Sequence, residues 1–212
     1  MIGKLSNDGE MSLTDAKTNF IIDEAIALFL ERSISEVTVH DIAACASVGE
    51  ATIYRYFCTK QNLVCSAASK LQKQIYETYF DLSRGKSGYD KLELFFKTYL
   101  EIFSTHREFF KFINEFDAFI LSVGETDSTE YSSGLDMFKA LCVDAYTLGI
   151  SDGSIARIDD FETFYYAATH ALLELCKKLS SPDIVRQDVS AKKEQEIATL
   201  TDIILFRLKA KA

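Results

Sequence analysis

An all-α fold is what this sequence predicts, and three observations predict it. Proline occurs once, at Pro182, and glycine only nine times in 212 residues, so little in the chain interrupts long helices. Apolar residues recur at three- and four-residue spacings in segment after segment, and no stretch sustains the alternation of a half-buried strand. At 48% hydrophobic and 26% charged, the composition is that of a globular chain able to bury a substantial core.

Taken in order, residues 1–11 read as a mobile arm. A first helix starts near Ser12 or Thr14 and runs to about Arg32, with Phe20, Ile21, Ala25, Leu28 and Phe29 as its buried stripe. Ser33 to Val37 connects it to the stretch around which the chain is organised, Thr38 to Lys60. There Thr38, with Asp41 three residues on, makes a capping-box start. Val39, Ile42, Ala43 and Ala46 then share one face. Ser47-Val48-Gly49 breaks the pattern, and a second short helix follows with Ile53 and Phe57 as anchors. Glu50, Ala51, Thr52, Tyr54, Arg55 and Tyr56 surround those anchors. Two short helices about a tight turn, the second tipped with polar and aromatic groups, suit a helix-turn-helix that presents its second helix to the DNA major groove. A plain helical hairpin inside a bundle has the same periodicity.

The residues themselves carry more than the periodicity. Ile21-Ile22-Asp23-Glu24-Ala25 with Leu28-Phe29, then Thr38-Val39-His40-Asp41-Ile42-Ala43, then Val48-Gly49-Glu50-Ala51-Thr52-Ile53-Tyr54-Arg55-Tyr56-Phe57, and Lys60 with Leu63, resemble the TetR family of transcriptional regulators. The resemblance covers roughly residues 14 to 65 without a gap. It implies an N-terminal three-helix helix-turn-helix DNA-binding domain (12–59), a connecting helix (60–84) and a C-terminal helical effector and dimerisation domain (85–212). It also implies a homodimer through the last two long helices, bound to an inverted-repeat operator in double-stranded DNA. Repression relieved by a small effector is the family's usual mode. Tyr54, Tyr56 and Lys60 match positions that usually touch the DNA backbone. Three positions depart from the pattern. Ser33 and Ser47 stand where glycine is usual, and Ser33 closes a helix end that favours a left-handed residue. Gly49 replaces a capping serine or threonine and brings no side-chain acceptor.

On the DNA face, the Thr38 hydroxyl and nearby free amides can hold a phosphate at a helix N-terminus. Such contacts fix register, whereas base edges are read by others. Glu50, Ala51, Thr52 and Arg55 are the candidates for that role: Arg55 can pair bidentately with guanine and Glu50 can accept from cytosine. Glu50 is equally a partner for the helix dipole.

Beyond it, Thr59 caps a helix from about Lys60 to Leu82 with Leu63, Ala67, Leu71, Ile75 and Tyr79 as its stripe. Arg84 to Gly88 breaks the chain. It contains Gly-Lys-Ser, but the first glycine of a P-loop would fall at Phe80, which removes nucleotide binding. Residues 90–104 form a helix with Leu92, Phe95, Phe96, Tyr99 and Phe103 inward. Thr105 and Glu108 give another capping-box start, followed by Phe109, Phe112, Ile113, Phe116 and Ile120. Ser122 to Ser133 reads as a loop. Leu135, Phe138, Leu141, Cys142, Ala145 and Leu148 mark another helix, and Gly149 to Asp159 a loop. Two helices close the chain, one striped by Phe161, Phe164, Tyr165, Ala168, Leu172, Leu175 and Leu179, the other by Ile197, Leu200, Ile204, Leu205 and Leu208. Tyr166, Ala167, Ala171 and Leu173 lie off the first of those stripes, which favours a dimer over a purely internal core. The phenylalanine-dense stretch 95–119 is either a core or the wall of an apolar pocket for an apolar or aromatic effector. Candidate pocket residues are Phe96, Tyr99, Phe103, Phe112, Asn114, Phe116, Tyr165 and His170, with His106 as a further polar contact. His170 is alternatively a satisfied core histidine.

No Glu-x-x-His pair, His-Glu-x-x-His motif or dinucleotide glycine motif occurs, so neither an enzyme nor a metal or cofactor protein is expected. No apolar run approaches the roughly 18 residues that span a bilayer, and the N-terminus lacks the apolar core of a signal peptide. Five cysteines without a CxxC pair fit reduced, mostly buried thiols; together these suggest a cytoplasmic protein. A redox switch at Cys58 and Cys65 is a minor alternative. The net charge of −9 is awkward for a DNA binder, and residues 1–60 hold five Lys/Arg against nine Asp/Glu. Weak non-specific affinity follows. The rival reading is a helical adaptor protein that has lost DNA recognition.

Overall fold

The computed structural model describes residues 13–124, 129–181 and 192–210. The arm predicted at 1–11 and the segment around Pro182 lie outside the described residues. Among those described are nine α-helices and no strand: α1 (Leu13–Glu31), α2 (Val39–Cys45), α3 (Glu50–Phe57), α4 (Lys60–Tyr79), α5 (Gly88–Thr105), α6 (Arg107–Val123), α7 (Thr129–Ser151), α8 (Phe161–Ser180) and α9 (Lys193–Leu208).

Helix α1 buries Ile21, Ile22, Ala25, Ile26 and Phe29. Phe20, expected inside, is 48% exposed. The stripe is centred one position later, on pairs of adjacent residues every turn, and leaves residue 20 outside it. Ser33 is not left-handed either. Among the described residues, the non-glycine positions with positive φ are Ser47 (52°) and Cys58 (63°). After α1 the Ser33 carbonyl instead accepts from the amides of Glu36 and Val37, a turn that ordinary backbone can make. The capping box of α2 forms as the spacing predicts: the Thr38 oxygen accepts from the Asp41 amide and the Asp41 carboxylate accepts from the Thr38 amide. Thr59 likewise accepts from the Asn62 amide to start α4, which ends at Tyr79 rather than Leu82.

A second capping box, Ser87 with Asp90, starts α5. Its Ser-x-x-Asp spacing is the same signal as Thr38–Asp41. The cap proposed at Thr105 does not exist. Thr105 is still inside α5, its hydroxyl donating to the Glu101 carbonyl, and His106 makes the junction with α6 without a side-chain cap. Part of the loop expected over Ser122 to Ser133 is also helix, because α7 begins at Thr129. Tyr131 drives that start: its ring packs 4.9 Å from that of Phe116, burial that polar composition alone could not reveal.

Helices α1 to α4 pack as the N-terminal unit, α1 lying against α2 and α4 and α3 against both its neighbours. Helix α5 is central to the rest, in contact with α6, α7, α8 and α9, while α4 reaches α7. Helix α6 bridges the two groups, touching α1 and α4 on one side and α8 on the other. The end of α9 is tied to the α7–α8 loop, the Ala156 amide donating to the Leu208 carbonyl at 2.8 Å. No helix among the described residues is long and apolar enough to cross a membrane.

Candidate nucleic-acid interface and effector cavity

Helix α3 is held by two buried anchors, Ile53 at 1% and Phe57 at 6% exposure. With those turned inward, helical geometry sends Ala51, Tyr54 and Arg55 outward, and all three are exposed. Thr52 and Tyr56 flank this face, half-buried. The Arg55 guanidinium sits 5.0 Å from the centroid of the Tyr56 ring and donates to its hydroxyl, so the ring steadies a cation that still faces solvent. Glu50, in the first turn of α3, meets the His40 ring nitrogen at 3.0 Å. That pair bridges the two helices of the motif, and both of its groups are exposed.

Two expected contacts are placed differently. The Thr38 hydroxyl accepts from the Asp41 amide and donates its proton to the Asp41 carboxylate at 2.8 Å, so neither is free for a phosphate. Hydrogen bonds from the Thr38 backbone and side chain hold the Asp41 carboxyl below its ordinary range. An anion is therefore already seated at this helix start. Lys60, expected on the DNA backbone, turns inward. Its ammonium donates to the Ile34 carbonyl at 2.6 Å and lies 5.9 Å from the Phe119 ring of α6. Burial draws its pKa down despite the opposing pull of Asp41.

The turn shows why two residues were unusual. Ser47 is left-handed at φ 52°, a conformation glycine adopts freely and an L-residue at a cost. Gly49 is the N-cap of α3, in extended conformation and without a side-chain bond, in open space.

Between α4, α5, α6, α7 and α8 lies a cavity of about 380 Å³. From α4 come Gln72 and Ile75, with Phe80 just beyond it. Tyr99 and Ile102 come from α5, and Phe109, Phe110, Ile113 and Asp117 from α6. Tyr131, Ser132, Leu135, Asp136, Phe138 and Lys139 come from α7, and Tyr165, Tyr166, Thr169, His170 and Leu173 from α8. Of the pocket residues expected from sequence, Tyr99, Tyr165 and His170 line it. Phe96, Phe103, Phe112 and Phe116 do not: all are buried in the core. Phe112 stacks instead on Phe29 of α1, 6.2 Å between centroids. Asn114 is exposed, and His106 is hydrogen-bonded to Tyr79 away from the cavity. For Phe112 and Phe116 the reason is that α6 carries two apolar faces, one toward α1 and one toward the cavity, which periodicity cannot assign; Phe96 and Phe103 are inward on α5. His170 is exposed at the cavity edge, which removes the core-histidine alternative.

Of the buried groups near this cavity, Lys177 escaped sequence reasoning, whereas buried cysteines were expected. Lys177, 5% exposed, bonds Asp117 at 2.7 Å and Glu174 at 2.6 Å. Burial lowers its pKa, but the bonds to Asp117 and Glu174 outweigh that and leave it raised. Cys142 and Cys176 are buried, with Cys176 pushed up to about 12 by desolvation, so both are inert thiols. Cys65 is buried too, but Cys45 and Cys58 are exposed. Among the described residues, no cluster of His, Cys, Asp or Glu could hold a metal ion.

A short helix offered outward from a trihelical platform, bonded through α6 to a helical cavity-bearing unit, defines a helix-turn-helix DNA-binding transcriptional regulator. Residues 21–67 match the family model described as bacterial regulatory proteins, tetR family, and over that segment the chain is similar to those regulators. Solved structures share the whole fold at low identity. A transcriptional regulator from Saccharomonospora viridis in complex with choline is 16% identical with a TM-score of 0.74, over 93% of this chain and 100% of that one. The regulator FadR from Bacillus subtilis, in complex with stearoyl-CoA, is 18% identical with a TM-score of 0.68, over 89% and 98%. The ketosteroid regulator KstR2 of Mycobacterium tuberculosis is 17% identical with a TM-score of 0.62, over 96% and 98%. No curated protein matches the chain by sequence.

Proposed function

We propose that this chain is a homodimeric repressor that binds an inverted-repeat operator through α3 and is released by a small apolar or aromatic effector. The outward face of α3 carries the reading: Ala51, Tyr54 and Arg55 exposed over the buried Ile53 and Phe57. Arg55 reads a base edge, Glu50, Ala51 and Thr52 lie beside it, and Tyr54 and Tyr56 set the register. The dimer forms through α8 and α9. Their outer faces expose Tyr166, Ala167 and Ala171, then Ile203 at 63% and Phe206 at 84%, apolar area that a monomer has no reason to leave in water. The cavity supports a small effector, as do the stearoyl-CoA and choline bound by two structural relatives.

A route for the effector's signal runs through Ile34. This residue is 1% exposed, in the turn between α1 and α2. Its amide donates to Glu115 of α6 at 2.9 Å and its carbonyl accepts from Lys60. Helix α6 thus grips the N-terminal unit with one face and lines the cavity with the other. A ligand that prefers one position of α6 biases the position of α3 by its differential affinity, typically about 1–3 kcal/mol.

The test is fluorescence anisotropy with a labelled duplex from the DNA flanking the gene, at low and high salt. Saturable binding to a palindromic segment, weakened in Arg55→Ala, supports the repressor. The adaptor alternative draws on Lys60 facing inward and Arg32 occupied by Asp41 at 3.6 Å. It predicts only weak, sequence-blind binding that salt abolishes.

A further inference from the structure

Apart from His170 at the exposed edge, the polar groups that decide the cavity's chemistry fall into two sets. The charged set is already paired or acidic. Lys139 is bonded to Glu162 and to the Tyr166 hydroxyl and lies 4.9 Å from the Tyr166 ring centroid. Lys177, behind Asp117, is bonded to both Asp117 and Glu174. Asp136 adds a further carboxylate to the lining. Negative groups therefore outnumber positive ones, and each lysine already has its counter-ion. The uncharged set is different. Gln72 is 4% and Tyr165 6% exposed, and both line the cavity with Tyr99. Among the described residues, nothing hydrogen-bonds the Gln72 amide or the hydroxyls of Tyr99 and Tyr165. None of these atoms is sealed in the core, so they stay open to a ligand in the cavity.

Gly134 lies against the Gln72 amide. It lies inside α7, where glycine weakens a helix. A Cβ there would come within 2.0 Å of the Gln72 side-chain oxygen. The glycine leaves room for the amide at the cavity wall.

We infer that the cavity takes an uncharged lipophilic molecule ending in a hydroxyl or carbonyl group, which Gln72, Tyr99 and Tyr165 hydrogen-bond, and that it rejects carboxylates and phosphates. This rests on the cavity being the effector site. An anionic head would enter a site whose ammonium groups are spent and whose free carboxylates are negative, with no free ammonium inside to compensate it. A neutral head satisfies groups that otherwise lack partners. Burial raises the phenols of Tyr99 and Tyr165 well above their ordinary value, which keeps them neutral donors at physiological pH. Rings of Phe80, Phe109, Phe110 and Phe138 on the walls suit the apolar body.

The experiment compares three probes with one body and different heads: 4-hexylphenol, 4-hexylbenzoate and (4-hexylbenzyl)trimethylammonium. Each is titrated calorimetrically into the full chain at pH 7.5. The phenol should bind at least tenfold more tightly than the benzoate and more tightly than the ammonium. Tyr165→Phe and Gln72→Leu should each weaken the phenol about three- to tenfold, with circular dichroism confirming the fold. Tyr165→Phe removes only one oxygen, so it serves if Gln72→Leu fails to fold. Tighter or equal binding of the benzoate or the ammonium, or no loss in Tyr165→Phe, overturns this inference but leaves the cavity as the effector site. No binding of any probe overturns both.

Discussion

Glu115→Ala removes the acceptor that α6 offers to the buried Ile34 amide. The bond is 2.9 Å long, to a residue 1% exposed, so losing the carboxylate leaves that buried amide without its protein acceptor. A buried donor left unsatisfied costs about 1–3 kcal/mol. The Lys111–Glu115 pair, at 3.8 Å on the surface of the same helix, adds little. A destabilisation of about 2 kcal/mol is therefore expected, lowering Tm by about 4–8 °C for a chain of this size. Glu115→Gln keeps an acceptor and should lose less than half as much. Lys60→Met removes the other grip on the same residue, so the double variant Glu115→Ala/Lys60→Met should fall short of the summed single losses. Differential scanning calorimetry measures the stability, and operator titration with and without ligand measures the coupling. Coupling should weaken in Glu115→Ala while ligand affinity in the absence of DNA stays within about twofold, because Glu115 does not line the cavity. Equal melting of Glu115→Ala and wild type, or unchanged coupling in a destabilised Glu115→Ala, would refute the reasoning.

Other expectations follow from the DNA-facing helices and the outer surface. Arg55→Ala should cost about 1–3 kcal/mol of operator affinity and relax one base position, read by binding to a panel of single-base operator variants. Ser47→Gly relieves a left-handed serine and should stabilise the chain by about 0.5–1 kcal/mol, whereas Ser47→Ala should not, since alanine shares the strain; chemical denaturation distinguishes them. Thr38→Ala should cost about 1 kcal/mol through loss of the cap. The folded-state pKa of Asp41 lies below the ordinary 3.8, so the unfolded chain binds the proton first as pH falls. Its stabilising contribution is thus complete above about pH 4 to 5 and disappears as pH drops through the lower folded value. Melts of Asp41→Asn and wild type should converge at acid pH. Phe206→Glu should shift the chain from dimer to monomer in analytical ultracentrifugation without changing its helical circular dichroism.

The sequence alone determined the features written in short-range spacing. The Thr38–Asp41 box, the Thr59 cap and the Ile53–Phe57 anchors are set by residues three or four apart, and helical geometry makes such pairs meet in almost any context. The exposed face of α3 follows from those anchors. Tertiary structure decided what depends on residues far apart in the chain. Lys60 turned inward because the Ile34 carbonyl, 26 positions away, needed a donor. Phe112 and Phe116 went to the core, and Phe109 and Phe110 to the cavity wall, because α6 is covered on two sides by different helices. A period of 3.6 residues identifies apolar positions, but not which neighbour will cover each of them. The cavity, with Gln72 given its room by Gly134, exists only where five helices converge, and no local pattern encodes that convergence.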